Sequence, residues 1–401
     1  MRVVIASRIF EPEPSAASFR LQALAERLVA DGHEVEVKTV RPPATLAPAQ
    51  VPKHYRVTRW PVKRDRQGYV RGYVSYMSFD VPLALRLLFS RRADAVVVEP
   101  PPTTGVMVRF ACAIRRTPYF YYAADVWSDA AQQTGAPGWM VRSVRALEKW
   151  AWRGARAILS VSTGVTERVG ELITHPRVPT VGNGVSVARF VAGAAGETPL
   201  ETPFFVYAGT ASEWHGATAF VDAFAEAGPQ LGDAQLVFIG GGSERAALEE
   251  RAAQLGIASR LRFFETMPPE ELAPWLAHSI ASLASVRPGS GYDFAFPTKL
   301  YSSAACGAPL IYAGPGPAVE FVRSRVDVEP LGEAVAYDEA AIADALVRAY
   351  DRRAASTPET IGARRQAVSD WAVKTVSLDS VAAKIVRVIE GDQEPFSSGE
   401  Q

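Results

Sequence analysis

The chain has 401 residues, 48% of them hydrophobic, which is enough for two globular domains of ordinary size, each with its own core. Its 43 basic and 43 acidic residues balance, so no global field draws it toward nucleic acid, and any anionic ligand has to be held by local chemistry.

In chain order, Val3 to Ala6 is a short buried strand, Ser18 can cap a helix carrying Leu21, Leu24, Ala25 and Leu28 until Gly32, and Glu34 to Val40 is the next strand. The βαβ pattern continues with strands at Ala95 to Val98, Tyr119 to Ala123 and Ala157 to Val161, and with a helix around Trp139 to Arg153. Residues 186–203 lose periodicity and read as an interdomain linker. A second series follows, with strands near Phe204, Leu236, Leu261, Ile280 and Leu310 and helices near Ala217, Glu244, Glu270 and Pro297. The domains expected are therefore 1–185 and 204–370, a helix over 371–390, and a disordered tail over 391–401. Cys112 and Cys306, the only cysteines, sit among small apolar residues, which fits a reducing compartment and argues against a thiolate metal site. The five His residues show no metal-ligand spacing, no signal peptide is expected, and no apolar run approaches a membrane span; a cytoplasmic protein without a metal is the expectation.

Open parallel sheets bind ligands beyond the carboxyl ends of their strands. The loops so placed are 209–216, 240–243 and 287–291 in the second half, and 8–18, 99–105 and 125–128 in the first. The loop after the first strand, Ser7 to Pro12, holds no glycine, so a dinucleotide cofactor is not expected. Gly240, Gly241 and Gly242 fit either a tight turn or a phosphate clamp. Pro297, Thr298 and Lys299 open a helix, delivering a lysine to a first turn where free N–H groups also point; a phosphate there would offset a cation that the helix dipole otherwise disfavours. Arg287 is either a second cation for that phosphate or a surface arginine, and His215 is either a hydrogen-bond donor or a packing residue beside Trp214. Asp125 can orient a hydroxyl or cap the helix after it.

The run Pro297-Thr298-Lys299-Leu300-Tyr301 resembles the donor segment of GT-B glycosyltransferases of family 4, in particular a bacterial branch. Phe10 to Pro14 before Phe19-Arg20-Leu21, Asp125-Val126-Trp127, Leu147 to Trp150 and Gly182 to Val185 are similar to further family landmarks, and Trp371 to Ile389 to the terminal helix that returns to the first domain. The resemblance implies an α/β GT-B fold of two Rossmann-like domains facing each other across a cleft, and a retaining, metal-independent transfer of a sugar to a hydroxyl. There are departures. Thr210 and His215 stand where relatives place an Arg and a Lys on the donor diphosphate, and Phe294 and Ser302 where they carry a pair of Glu.

The combined reading assigns catalysis to Asp125, Lys299 and Arg287. Donor binding falls to Gly209, Thr210, His215, Gly241, Thr266, Met267, Gly289, Tyr292, Thr298, Tyr301 and Ser302, and the acceptor side to Glu11, Ser15, Arg20 and Glu99. The donor expected is a nucleoside-diphosphate sugar, a UDP-sugar first, and the acceptor a glycan, a lipid-linked molecule or a natural-product precursor. The alternatives are a sugar-nucleotide epimerase on the same fold and a non-catalytic nucleotide-sugar-binding partner of another transferase. Residues 53–71 gather eight Lys, Arg and His against Asp65 alone, with aromatic residues interleaved up to Tyr73. That stretch is either a contact for the inner membrane surface or a solvated loop.

Overall fold

The structure, a computed structural model, describes residues 1–13, 15–43, 46, 54–65, 70, 72–133 and 135–391. It divides into two compact units, Met1–Gly184 with the segment from Leu378, and Val185–Ser377.

The first unit runs β1 (Arg2–Ala6), α1 (Ala16–Ala30), β2 (Glu34–Val40), β3 (Arg56–Trp60), α2 (Tyr73–Phe89), β4 (Ala95–Val98), α3 (Pro102–Arg115), β5 (Tyr119–Ala123), α4 (Trp127–Gln133), α5 (Gly138–Arg153), β6 (Ala157–Ser160) and α6 (Thr163–Leu172). Its sheet is parallel in the order β3-β2-β1-β4-β5-β6. Strands β1, β4, β5 and β6 are buried along their whole length, as helices on both faces require, and this is why they read as unbroken apolar runs. Because β3, β4, β5 and β6 step across the sheet in one direction, right-handed crossovers set α2, α3 and α5 side by side on one face, with α1 on the other.

The second unit runs α7 (Val187–Ala194), β7 (Phe204–Ala208), α8 (Thr218–Glu226), β8 (Gln235–Ile239), α9 (Arg245–Gln254), β9 (Leu261–Phe264), α10 (Pro269–His278), β10 (Ser282–Ser285), α11 (Lys299–Ala305), β11 (Leu310–Ala313), α12 (Ala318–Arg323), β12 (Arg325–Val326), β13 (Glu329–Pro330), β14 (Gly332–Val335), α13 (Glu339–Ala355) and α14 (Pro358–Thr375). Its six-stranded sheet has the same arrangement, β14-β11-β10-β7-β8-β9. A last helix, α15 (Leu378–Glu390), packs on α1 and buries Val381, Ile385, Val386 and Ile389 in the core of the first unit.

Three expectations need correction. Residues 186–203 are not a bare linker, since α7 buries Val187 and Phe190 against α10; its Gly and Ala content hid a short helix held by tertiary packing rather than by propensity. The helix expected over 371–390 is two helices, α14 keeping Trp371 in the second unit's core beside Phe321 and the chain breaking at Val376 and Ser377. The cap of α1 is Ser15, whose hydroxyl accepts from the Ser18 N–H at 3.1 Å, and Ser18 is itself inside the helix. The expected tail lies outside the described residues beyond Gly391.

Candidate functional site

In each unit the strand order reverses beside the first strand, between β7 and β10 in the second unit and between β1 and β4 in the first. Such a switch point leaves a crevice at the strands' carboxyl ends. In the second unit it is a cleft of about 550 Å³, lined by Gly209, Thr210, Ser212, Trp214 and His215 after β7, by Thr298, Lys299 and Ser302 at α11, and by Leu272 and Leu276 of α10.

The cleft's central feature is the Lys299 ammonium. It rests 3.5 Å from the centre of the Tyr207 ring and 3.4 Å from the Thr210 carbonyl, with no ion-pair partner among the described residues. Gly209, at a φ of +108°, keeps the crossing open: a Cβ there would lie 3.4 Å from the lysine Cε. Burial pulls the lysine's pKa well below its usual value, and Glu244 opposes that shift without touching it. Glu244 itself accepts from the Ala217 N–H at 3.1 Å and so anchors the start of α8.

Beside Lys299, His215 is buried and stacks on Trp214 at 3.6 Å, and Trp214 also stacks with Tyr292 at 4.9 Å. Burial, with Lys299 adding, drives the imidazole's pKa down to about 3, so it is neutral at ordinary pH. Its Nδ1 shares a hydrogen bond of 2.7 Å with the Ser212 hydroxyl, leaving Nε2 as the ring's remaining polar atom. Packing residue and polar lining are thus one role.

Other residues of the expected set lie elsewhere. Tyr301 does not line the cleft: two positions past Lys299 on a helix, its ring points away and is buried between Phe296 and Phe321. Arg287 is exposed and outside the cleft lining; its loop is pinned by its own N–H to the Trp214 carbonyl at 2.9 Å and by Asp293 accepting from Gly289. Gly289, Thr266 and Gly241 are exposed and Met267 packs on the core, all outside the cleft lining. The glycine triplet is a packing device: a Cβ at Gly242 would lie 2.0 Å from the Ala211 carbonyl oxygen, and the Gly241 carbonyl accepts from Ala211.

The first unit's switch point is closed by a buried network. Arg20 donates to Glu99 at 2.8 Å and to Asn183 at 2.6 Å, and the Ser7 hydroxyl donates to the second Glu99 oxygen at 3.1 Å. Asp125, at the end of β5, is exposed to solvent yet closely surrounded, which raises its pKa against the pull of Arg20, with Glu99 adding. It does not cap the next helix. That role belongs to Glu148 of α5, whose carboxylate accepts from the N–H groups of Trp127 at 2.8 Å and Ser128 at 3.2 Å; burial pushes its pKa up to about 7. Ser15 spends its hydroxyl on the α1 cap, and Glu11 accepts from Tyr55 at 3.2 Å. Sequence reasoning missed Glu148, Glu244, Ser7 and Ser212; a carboxylate within a helix's apolar period, as at Glu148, was the one available signal.

Of the basic stretch, His54, Arg56 and Lys63 are exposed, as a solvated loop requires. Lys53, Arg66, Tyr69 and Arg71 lie outside the described residues. Arg59 is turned inward onto the carbonyls of Glu11 and Val40, and Arg64 onto Glu13 and the Arg41 carbonyl, so both brace the loop after β1.

Residues 16–184 match the model of a glycosyl transferase 4-like domain, and residues 202–352 that of glycosyl transferases group 1. Over 180 residues the chain is 28% identical to D-inositol 3-phosphate glycosyltransferase of Corynebacterium diphtheriae, an alignment spanning 40% of each protein. Sucrose-phosphate synthase from Thermosynechococcus elongatus shares the fold at 15% identity and a TM-score of 0.68, over 97% of this chain and 98% of that one. Anabaena HepE in complex with UDP and glucose does so at 14% identity and a TM-score of 0.65, over 97% and 99%. With two doubly wound parallel sheets and a glycosyltransferase domain model matching each half, the chain belongs to the GT-B type glycosyltransferases.

Proposed function

We propose that this chain moves a sugar from a nucleoside diphosphate to a hydroxyl acceptor, with a UDP-sugar the first donor to try, retention at the anomeric carbon and no metal. The observation that carries the reading is Lys299: an ammonium without an ion-pair partner among the described residues, beside Thr298 and Ser302 in an open cleft at a switch point. A diphosphate gains negative charge as its bond to the sugar breaks, and a preorganised cation aimed at it lowers that barrier. The neutral His215 adds a hydrogen-bonding nitrogen, and Trp214 an apolar wall. Retention and metal independence rest on the family resemblance, and UDP on the analogy with HepE, whose complex holds UDP and glucose. Asp125 is the residue suited to orient the acceptor hydroxyl, in a cytoplasmic enzyme supplied with sugar nucleotides.

The test is a thermal-shift screen of UDP-, GDP- and dTDP-sugars, followed by transfer assays in chelator with the product's anomeric configuration read by NMR. A donor at 100 times its dissociation constant stabilises by about 2.7 kcal/mol, and the matching acceptor should yield a product of retained configuration. Interconversion of two sugar nucleotides without acceptor would make the chain an epimerase. Binding without turnover toward any acceptor would make it a non-catalytic partner.

A further inference from the structure

Eleven of the eighteen large apolar side chains exposed among the described residues lie on α2, α3 and α5. The three helices are neighbours, α2 packing on α3 and α3 on α5. Nine of the eleven keep to one outward stripe on each helix: Val74, Val81, Leu85 and Phe89 on α2, Phe110 and Ile114 on α3, Trp139, Leu147 and Trp150 on α5. Phe89 is 85% exposed and Trp139 62%, although folding could have buried either. A contiguous apolar face of this kind on a water-soluble fold marks a surface that something covers.

The charges identify the cover. The three helices carry seven Lys and Arg and two acidic residues, Asp80 and Glu148, both buried. Arg86, Arg109 and Arg115 donate to the carbonyls of Thr58, Trp150 and Ser90, and Arg145 alone among the described residues of these helices is ion-paired, to Asp129 of α4, which leaves Arg142 and Arg153 as the exposed charges, both basic. A second copy docking through the same face would set cations against cations. Tryptophans Trp139 and Trp150 beside the exposed Arg142 and Arg153 of the same helix suit the boundary between acyl chains and anionic headgroups. Among the described residues no helix is long and apolar enough to cross a membrane, so contact would be lateral.

We infer that the outer face of α2, α3 and α5 seats the protein on the surface of an anionic lipid bilayer. The inference is independent of sugar transfer, and it moves the membrane contact from residues 53–73 to three helices.

The experiment is cosedimentation of the full chain with vesicles of phosphatidylcholine alone, or mixed equally with phosphatidylglycerol, without sugar nucleotide. Binding to the mixed vesicles at low salt, weakened by high salt, is expected. The triple variant Phe89→Ser, Phe110→Ser, Trp139→Ser should bind on the order of a hundredfold more weakly, and Arg142→Gln with Arg153→Gln about fivefold more weakly per lost cation. Both variants should keep the wild-type melting temperature, since every site is exposed, and Lys63→Gln should bind as wild type. The inference is overturned if the wild type ignores mixed vesicles at low salt, if it binds both vesicle types equally, or if the triple variant binds unchanged. A wild type that forms dimers in sedimentation velocity which the triple variant abolishes, with no vesicle binding, would assign the face to a second copy instead.

Discussion

The two units are built alike, yet their switch points are finished in opposite ways. In the first, the crevice between β1 and β4 is filled by its own charges: Arg20 and Glu99 pair at 2.8 Å, both side chains nearly closed to solvent, with Ser7 and Asn183 taking further hydrogen bonds. In the second, the crevice between β7 and β10 stays open and holds a lysine with no ion-pair partner among the described residues. Architecture alone therefore predicts where a ligand can bind but not whether one does. What separates the units is charge left over, since a half-buried cation without its own anion is a site that a ligand's anion completes.

The largest effect that bears on this contrast is Arg20→Ala. If the first switch point is a sealed, structural pair, removing the cation strands a buried carboxylate and costs about 3–5 kcal/mol of stability. Urea unfolding followed by tryptophan fluorescence checks this, and diphosphate affinity should hold. A variant of wild-type stability would mean that Glu99 is not sealed in the way its burial implies.

Lys299→Ala should behave in the opposite manner. Stability should hold or rise, because a desolvated ammonium is removed, while turnover falls by about 10²–10³ and diphosphate affinity weakens with it. Steady-state kinetics and calorimetric titration measure both. Wild-type values for each would remove the cation from the mechanism and the contrast between the units with it.

Within the first unit, Asp125 and Glu148 can be separated. Because Glu148 caps α4, Asp125→Asn should lower transfer by about a hundredfold without moving the melting temperature. Glu148 has its own signature. Its folded pKa, about 7, lies above the ordinary carboxyl value of 4.5, so the native state holds the proton more tightly than the unfolded chain does. Its cost to stability is absent below about pH 4.5, grows as pH rises from there to about 7, and is constant above. Glu148→Gln should erase that slope, worth about 3 kcal/mol across the interval. Parallel pH–stability curves for variant and wild type would refute the assignment.

Much of this was legible in the sequence where the signal is local. Buried parallel strands such as Ala95–Val98 announce themselves as apolar runs, and Pro297-Thr298-Lys299 announces a helix start carrying a cation. What stayed hidden depends on contacts distant in sequence. The Arg20–Glu99 pair spans 79 residues, and Glu148 reaches back 21 to cap Trp127. Helical period was also misjudged in detail. Thr298, Lys299, Tyr301 and Ser302 read as one donor-facing group, but the tyrosine falls on the inward side. The apolar period from Trp371 to Ile389 runs straight across the break at Ser377, so nothing local marks where the chain changes units.

The smallest effect is the most specific to an unpaired cation. In the free protein, burial holds the Lys299 ammonium's pKa well below its usual value. A bound diphosphate would stabilise the charged form and draw that pKa back up, so binding should take up a fraction of a proton, and affinity should fall as pH rises through the interval between the two values. Titration calorimetry in buffers of different ionisation enthalpy reads the uptake, at a pH well above the last ionisation of the diphosphate so that the ligand contributes none of it. Lys299→Ala should abolish the uptake, and Arg20→Ala should leave it unchanged, because the Arg20 guanidinium already has its carboxylate. Diphosphate binding without proton uptake by the wild type would mean that Lys299 is fully charged before the ligand arrives, and that its desolvation is too slight to suppress the charge.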